Sequence, residues 1–395
     1  MGEEMLADQL DQLLSEPLRT AVERERKAFD RASEPFGERL VLHGAGRFGK
    51  RALERMQRFG LSALAFSDNN PALAGTQLQG VPVYSAAKAA QLFGREAVFA
   101  ITVWNADASD RMKHRIQQLK ELGCERVLPV GLLCWKYPDA FLPYYPLDLP
   151  HKVLNSASDV KAAFGLFSDE ASRAEFIGQI RFRLLLDYDA LGAPLGDDYY
   201  FRSELFDLRS DEVFIDCGAF DGDTVEDFIK FRGESFGSIV AFEPDPLNWT
   251  KLQDRLKRLP DTVRMKITAF PYALGSKERT VQFDSTGLDT ARIGSGSVAV
   301  ECVTLDRVLK HLDPTFIKFD IEGAELDALD GARELITRKR PVLAVSCYHQ
   351  QSHLWDIPLK LAELCREYEF FLRPHGVEGW DLLCYGIPIE RMKSH

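Results

Sequence analysis

The chain has 395 residues, a formal charge of −11, and 45% apolar and 28% charged side chains. That length favours two domains, each large enough to bury its own core, and the composition is that of a soluble globular protein. The acidic balance argues against nucleic acid as a main partner, because phosphate binding usually needs a net basic surface.

The seven cysteines, Cys124, Cys134, Cys217, Cys302, Cys347, Cys365 and Cys384, form no C-x-x-C pair. They read as buried thiols in a reducing compartment, not as a disulfide framework or a zinc site. The acidic N-terminus lacks a long apolar run, so neither a signal peptide nor a membrane span is expected, and the expected location is cytoplasmic.

Residues 3–32 read as one helix, with Leu6, Leu10, Leu13, Leu14 and Leu18 at helical spacing. Such a stripe fits a docking arm, hence a homodimer, or equally a helix packed on its own chain. Within 38–137, strands at 39–43, 61–67, 98–103 and 126–129 alternate with helices, one opened by the glycine-rich turn 44–49 and running through Phe59 and one near 108–122. This is the pattern of a helix-covered parallel sheet. Pro138, Pro143, Pro146 and Pro150 resist both helix and strand. They open a linker and helical lead-in over 138–200, with a Ser-capped helix expected from about Ser168 to Leu191. A second α/β domain covers 201–395, with strands at 213–216, 238–243, 266–274, 280–283, 297–305, 316–320 and 342–347. Its helices are expected at 246–258 and 322–338, and its tail forms a closing antiparallel hairpin. The fold class is thus α/β, with two Rossmann-like doubly wound domains behind a helical arm over 1–37.

The turn after strand 213–216 reads Asp216-Cys217-Gly218-Ala219-Phe220-Asp221-Gly222-Asp223-Thr224. Gly218 and Gly222 let backbone approach a ligand where a Cβ would collide, and the next helix presents free N–H groups. The three acids would repel a pyrophosphate and attract a ligand carrying a sulfonium and an ammonium. Glu243 ends the following strand, where an acid can accept both hydroxyls of a ribose. Either acid alone reads as an ordinary strand end. Together, in order and with glycines between, they describe a site for a cationic nucleoside, and S-adenosylmethionine (SAM) is the common ligand of that kind.

Five segments, DEVFIDCGAFDGDT (211–224), VAFEPDP (240–246), YALG (272–275), VTLDRVL (303–309) and FIKFDIEGAELDALDGA (316–332), resemble the FkbM-type SAM-dependent methyltransferases. The likeness runs from about Tyr199 to Pro388. It implies a class I methyltransferase sheet and O-methylation, often of sugar or natural-product hydroxyls. It also implies that Asp216, Gly218 and Glu243 bind SAM with the adjoining Ala219, Phe220, Gly222, Asp223, Thr224 and Pro244, and that Tyr272 and Ala273 lie by the adenine.

Asp320 stands at the carboxyl end of a central strand, where open α/β sheets place ligands. It is expected to orient donor or acceptor, with Lys318 on the same side either pairing with it or holding an acidic substrate. Glu322 and Glu325 read as first-turn acids that favour the helix dipole, and Glu325 reads equally as a site residue. His349, past strand 342–347, is the expected general base or acceptor contact. A divalent metal on Asp320 with His349 or another carboxylate is an alternative. It is not the favoured one, because Ser346-Cys347-Tyr348 offers no carboxylate at the strand end. Tyr199, Tyr200 and Phe201 read as a cover over SAM or as core packing.

In the first half, Gly44-x-Gly46-x-x-Gly49 precedes Asp68, the dinucleotide fingerprint in its proper context. The run 44–83 resembles the nucleotide-sugar-binding domains of certain sugar acyltransferases, which implies a nucleotide-sugar on Gly44, Gly46, Gly49 and Asp68. A fold without ligand is the plainer reading. The expected activity is O-methylation of a small-molecule or saccharide acceptor by SAM. The rivals are an NAD-dependent oxidoreductase using the first glycine loop and a non-catalytic SAM or nucleotide-sugar binder.

Overall fold

The computed structural model describes residues 2–104, 109–196, 198–288, 291–294 and 296–393. Two helices, α1 (Gly2–Leu14) and α2 (Leu18–Ser33), stand where one was expected. Pro17 forms the N-cap of α2 and lacks the N–H that would continue the first helix. Part of the apolar stripe is spent within the chain, while Leu18 stays exposed. Leu6 and Leu10 of α1 join the core beneath the second sheet, and Phe29 of α2 joins the core of the first. Leu6 and Leu10 thus pack on their own chain, as the second of the two readings has it.

The first sheet has strands β1 (Leu40–His43), β2 (Ala63–Asp68), β3 (Gln77–Leu78), β4 (Val81–Ser85), β5 (Val98–Ile101) and β6 (Arg126–Pro129), in the order β3-β4-β2-β1-β5-β6. Only β3 runs antiparallel to its neighbour. Its helices are α3 (Arg47–Arg58), α4 (Ala86–Phe93) and α5 (Met112–Glu121). Ala108, where the sequence places the start of the last helix, lies outside the described residues.

The proline stretch is not plain linker. After α6 (Val130–Lys136) come α7 (Pro138–Phe141) and α8 (Pro150–Asn155), each with proline in its first turn. A missing N–H costs nothing there. Beyond α9 (Ala157–Phe164), helix α10 (Glu170–Leu185) is capped by Asp169, whose carboxylate accepts the Ser172 N–H at 2.8 Å, not by Ser168.

The second sheet contains β7 (Val213–Cys217), β8 (Ser238–Phe242) and β9 (Ile267–Phe270). Pro271 ends β9, so the single strand expected over 266–274 is two. The other piece, β10 (Ala273–Leu274), joins β11 (Arg279–Asp284), β12 (Arg292–Ile293) and β13 (Val298–Val303) in a separate four-stranded sheet. Strands β14 (Phe316–Phe319), β15 (Val342–Ser346), β16 (Tyr368–Pro374) and β17 (Leu382–Pro388) complete a seven-stranded sheet, β16-β17-β15-β14-β7-β8-β9. Its last two strands form the antiparallel hairpin read from the sequence. Numbered within that sheet the order is 3-2-1-4-5-7-6 read from β9, the methyltransferase-like arrangement. Flanking helices are α11 (Asp223–Arg232), α12 (Pro246–Leu256), α13 (Asp261–Arg264), α14 (Leu305–Val308), α15 (Glu325–Asp330), α16 (Arg333–Lys339) and α17 (His353–Leu364). The one helix expected over 322–338 is therefore two, α15 and α16, and Glu322 precedes both.

The two sheets are locked together. Glu378, on the hairpin turn, pairs with Arg115 of α5 at 3.0 Å, with both side chains almost fully buried. The Glu378 carbonyl also accepts the Trp104 indole N–H at 2.9 Å. Trp104, Tyr144, Tyr145 and Trp380 form a chain of ring contacts across the same seam.

Candidate active site

One cavity of about 1000 Å³ lies between the two sheets and is reached by loops from both. From the second half it is lined by Gly218, Phe220, Asp223, Thr224, Glu243, Pro244, Tyr272, Ala273, Lys318 and Asp320. From the first half come Gly44, Gly46, Arg47, Arg51 and Asp68. The remaining expected residues, Asp216, Ala219, Gly222, His349 and Gly49, stand behind this wall.

Strand register explains the wall from the second half. Lys318 pairs with Asp216 across β14 and β7, and Asp216 with Ala241 across β7 and β8, so these side chains stand level on one face. Lys318 therefore meets Asp216, at 2.9 Å, and not Asp320 as its place in the sequence suggested. Its ammonium also donates to the Gly218 carbonyl at 2.7 Å. Burial pushes Asp216 up to about 6 against the pull of Lys318. Burial works to lower the Lys318 pKa, but the carboxylates of Asp216 and Asp320 outweigh it and hold the amine charged.

The turn itself is built by close approach. Gly218 has φ +92°, and a Cβ there would lie 1.9 Å from the Asp320 carbonyl oxygen. Glycine thus lets the two strand-end turns touch. Phe220 takes a left-handed φ of 48°, a conformation uncommon outside glycine. The amides of Gly218 and Ala219 bond to the Phe242 carbonyl, and that of Phe220 donates to Glu243 Oε2 at 2.8 Å. Glu243 Oε1 accepts the Asp245 N–H, also at 2.8 Å. Glu243 thus braces the loop while still facing the cavity, and burial pushes its carboxyl up to about 8 despite both amides. Tyr272 stacks on Phe270, ring centroids 5.7 Å apart.

The Asp320 end is a cluster of acids around His349, with His353 Nδ1 3.4 Å from Glu325 Oε2 behind it. His349 Nδ1 lies 2.9 Å from Glu325 Oε1, and its Nε2 lies 3.4 Å from Asp320 Oδ1 and 3.5 Å from Glu322 Oε1. The Tyr200 hydroxyl donates to Asp320 Oδ2 at 2.7 Å, and the Tyr145 hydroxyl to Glu322 Oε2 at 3.0 Å. Burial opposes a charge on His349, but the Glu325 and Glu322 carboxylates outweigh it and raise the pKa well above the ordinary value. Burial likewise opposes a charge on Glu325, yet His349 draws it down to about 2. The acids around the ring thus favour its charged form over the neutral one.

Sequence reasoning did not single out Tyr145, which sits in the proline-rich stretch with no motif around it. Nor did it give Glu322 its place. Glu322 lies at φ 56° in the turn before the helix, so its carboxylate faces the cavity instead of supporting the helix dipole. The position two residues after a strand-end acid was the available signal. Of the aromatic trio, Tyr199 and Tyr200 line the cavity, whereas Phe201 also packs among Phe214, Phe228 and Phe316.

In the first half Asp68 plays the part that Glu243 plays in the second. Its Oδ2 accepts the Ala45 N–H at 2.6 Å and its Oδ1 the Asn70 N–H at 2.7 Å. At Gly49 a Cβ would lie 1.9 Å from the Gly44 carbonyl oxygen, so this glycine serves the packing of helix on turn. Gly46 caps α3 with no side-chain oxygen on its N–H groups.

Residues 216–376 match the family model described as the methyltransferase FkbM domain. The 2-O-methyltransferase NoeI of Sinorhizobium fredii is 25% identical over 204 residues, 44% of this chain and 80% of that protein. A crystal structure of methyltransferase FkbM from Methylobacillus flagellatus superposes with a TM-score of 0.77 at 24% identity, covering 98% of this chain and 99% of that one. At that identity the likeness shows the fold, with both sheets included. Among the described residues no helix is long and apolar enough to cross a membrane.

Proposed function

We propose that this chain, which carries an FkbM methyltransferase domain over residues 216–376, moves a methyl group from SAM to a hydroxyl of an anionic saccharide held between its two halves. The observation that carries the reading is the single cavity onto which both glycine loops open.

The donor lies along the second half. Glu243 takes the ribose hydroxyls, Tyr272 and Ala273 flank the adenine, and the Gly218–Thr224 turn holds the methionine end. Asp216 holds Lys318, and Lys318 holds the Gly218 carbonyl, so these two set the shape of the turn and do not touch the donor themselves. Asp223 and Asp320 draw the sulfonium into the cavity.

The acceptor enters from the first half. Arg47 and Arg51, with the N-terminus of α3, suit a phosphate or diphosphate, which fits a nucleotide-sugar. Its sugar then reaches the acidic cluster at Asp320. There the hydroxyl oxygen bonds to the methyl carbon as the carbon–sulfur bond breaks, the electron pair stays on sulfur, and the hydroxyl proton passes to solvent in the cavity. Alignment of oxygen, methyl and sulfur in one cavity supplies up to about 7–11 kcal/mol of the barrier.

Calorimetric titration with SAM, NAD and a UDP-sugar tests the reading on the full chain, followed by transfer of a labelled methyl to the sugar. Tight SAM binding and label in the sugar are expected. Binding of NAD with none of SAM would replace the proposal with an oxidoreductase.

A further inference from the structure

We infer that Asp320 and His349, with Glu322 beside them, bind a divalent cation of the Mn²⁺ class at the acceptor end of the cavity. The inference rests on the methyl-transfer reading for its purpose, but on separate observations for its existence.

Two carboxylates are each held at one oxygen by a tyrosine. Tyr200 takes Asp320 Oδ2 and Tyr145 takes Glu322 Oε2. Their other oxygens converge on His349 Nε2, at 3.4 and 3.5 Å. The histidine side chain is 1% exposed, and neither its Nε2 nor Asp320 Oδ1 has a hydrogen-bond partner. Buried polar atoms are seldom left this way.

The spacing itself is informative. An N–H···O bond prefers about 2.9–3.0 Å. Ligand atoms on a shared ion, each about 2.1 Å from it and at ordinary coordination angles, lie about 3.0–3.4 Å apart. The contacts at Nε2 match the second geometry better than the first. Behind the ring, Glu325 Oε1 accepts from Nδ1 at 2.9 Å and from the Ile321 N–H at 2.9 Å. A carboxylate on the far nitrogen is the usual support of a metal-binding histidine, since it fixes the tautomer that leaves Nε2 free to ligate. Asp320, Glu325 and His349 each bring a potential ligand atom into a set within 4.8 Å, the one such group of histidine, cysteine and acid side chains among the described residues. Glu325 is the member turned away from the cavity, whereas Asp320 and Glu322 line it.

Charge points the same way. Three carboxylates face the His349 ring, His353 meets only Glu325 at 3.4 Å, and Lys318, the nearby amine, is engaged by Asp216. A divalent ion on one imidazole and two carboxylates keeps open positions toward the cavity. An acceptor hydroxyl in such a position becomes more acidic. As the oxygen–methyl bond forms and the carbon–sulfur bond breaks, its proton passes to solvent in the cavity.

The test uses the full chain freed of metal with a chelator. Mn²⁺ binding is read by loss of the free-ion electron paramagnetic resonance signal, and SAM binding separately by calorimetry. One Mn²⁺ per chain is expected, weakened at least tenfold in Asp320→Asn and His349→Gln. Glu325→Gln is expected to weaken it about 10–100-fold through the ring orientation. If those variants unfold, Glu322→Gln at the cavity wall carries the same expectation. A wild-type chain that binds SAM and leaves 1 mM Mn²⁺ free (on the order of the weakest useful site) overturns the cation and spares the methyltransferase reading. Mn²⁺ bound with no SAM affinity does the reverse. Variants that hold Mn²⁺ as tightly as the wild type also overturn the site.

Discussion

Lys318 and Asp216 form an ion pair at 2.9 Å with side chains 2% and 0% exposed, and the same amine holds the Gly218 carbonyl. The pair ties the central strand to the glycine turn after β7. Removing one partner leaves a charge buried with no counterion, which costs about 3–5 kcal/mol. Lys318→Met is expected to lose stability of that order in denaturant unfolding. Lys318→Met with Asp216→Leu should recover a large part of the loss while SAM affinity stays poor, because the turn is no longer held.

Glu243 gives a pH signature. Its carboxyl titrates at about 8 in the folded chain against an ordinary 4.5. The folded state thus holds a proton that the unfolded chain has lost, and this group's contribution to stability falls as pH rises from 4.5 to 8. Ribose hydroxyls and a cationic donor favour the ionised form. SAM binding at pH 7 should therefore release close to one proton, seen as a buffer-dependent calorimetric enthalpy, and affinity should rise toward pH 8. Glu243→Gln should abolish the proton release and weaken SAM. An unchanged buffer dependence in that variant would remove Glu243 from the donor site.

Gly218→Ala meets two obstacles, a φ of +92° and a contact of 1.9 Å with the Asp320 carbonyl. Backbone strain alone costs about 1–3 kcal/mol. The carbonyl contact adds a forced separation of the two turns. The expected result is a lowered melting temperature with SAM binding reduced at least tenfold. Gly46→Ala, with open space at its Cβ, is the control that should keep both.

Arg115 and Glu378 couple the two sheets through a buried pair. Glu378→Ala strips Arg115 of that partner but leaves it Asp110 at 3.0 Å, so about 1–3 kcal/mol of stability should go with it. Two unfolding transitions in calorimetry, in place of one, would mark the loosened seam. A single unshifted transition would show that the aromatic chain around Trp104 holds the halves unaided.

Arg51→Ala tests the acceptor end. A saccharide carrying phosphate should show a KM raised at least tenfold, with the SAM dissociation constant unchanged. A KM that does not move would place the acceptor's charge elsewhere.

Much of this was determined along the chain itself. Strand, glycine turn and strand-end acid are local patterns, so β7 with Gly218 and Glu243, β1 with Gly44 and Asp68, and the final hairpin were all legible. Local rules also misplaced some boundaries, chiefly where proline decides: Pro17 split the first helix, Pro271 split a strand, and the prolines at 138 and 150 began helices instead of preventing them.

Pairings between distant segments belong to tertiary structure. Lys318 found Asp216 because parallel register sets residues 102 apart side by side. His349 gathered Asp320, Glu322 and Glu325 only where two strand-end turns meet, and Tyr145 reached them from the seam between the sheets. Periodicity carries information over one element at a time. Which faces meet, and which charges are left without water to share, follows only once the chain has closed on itself.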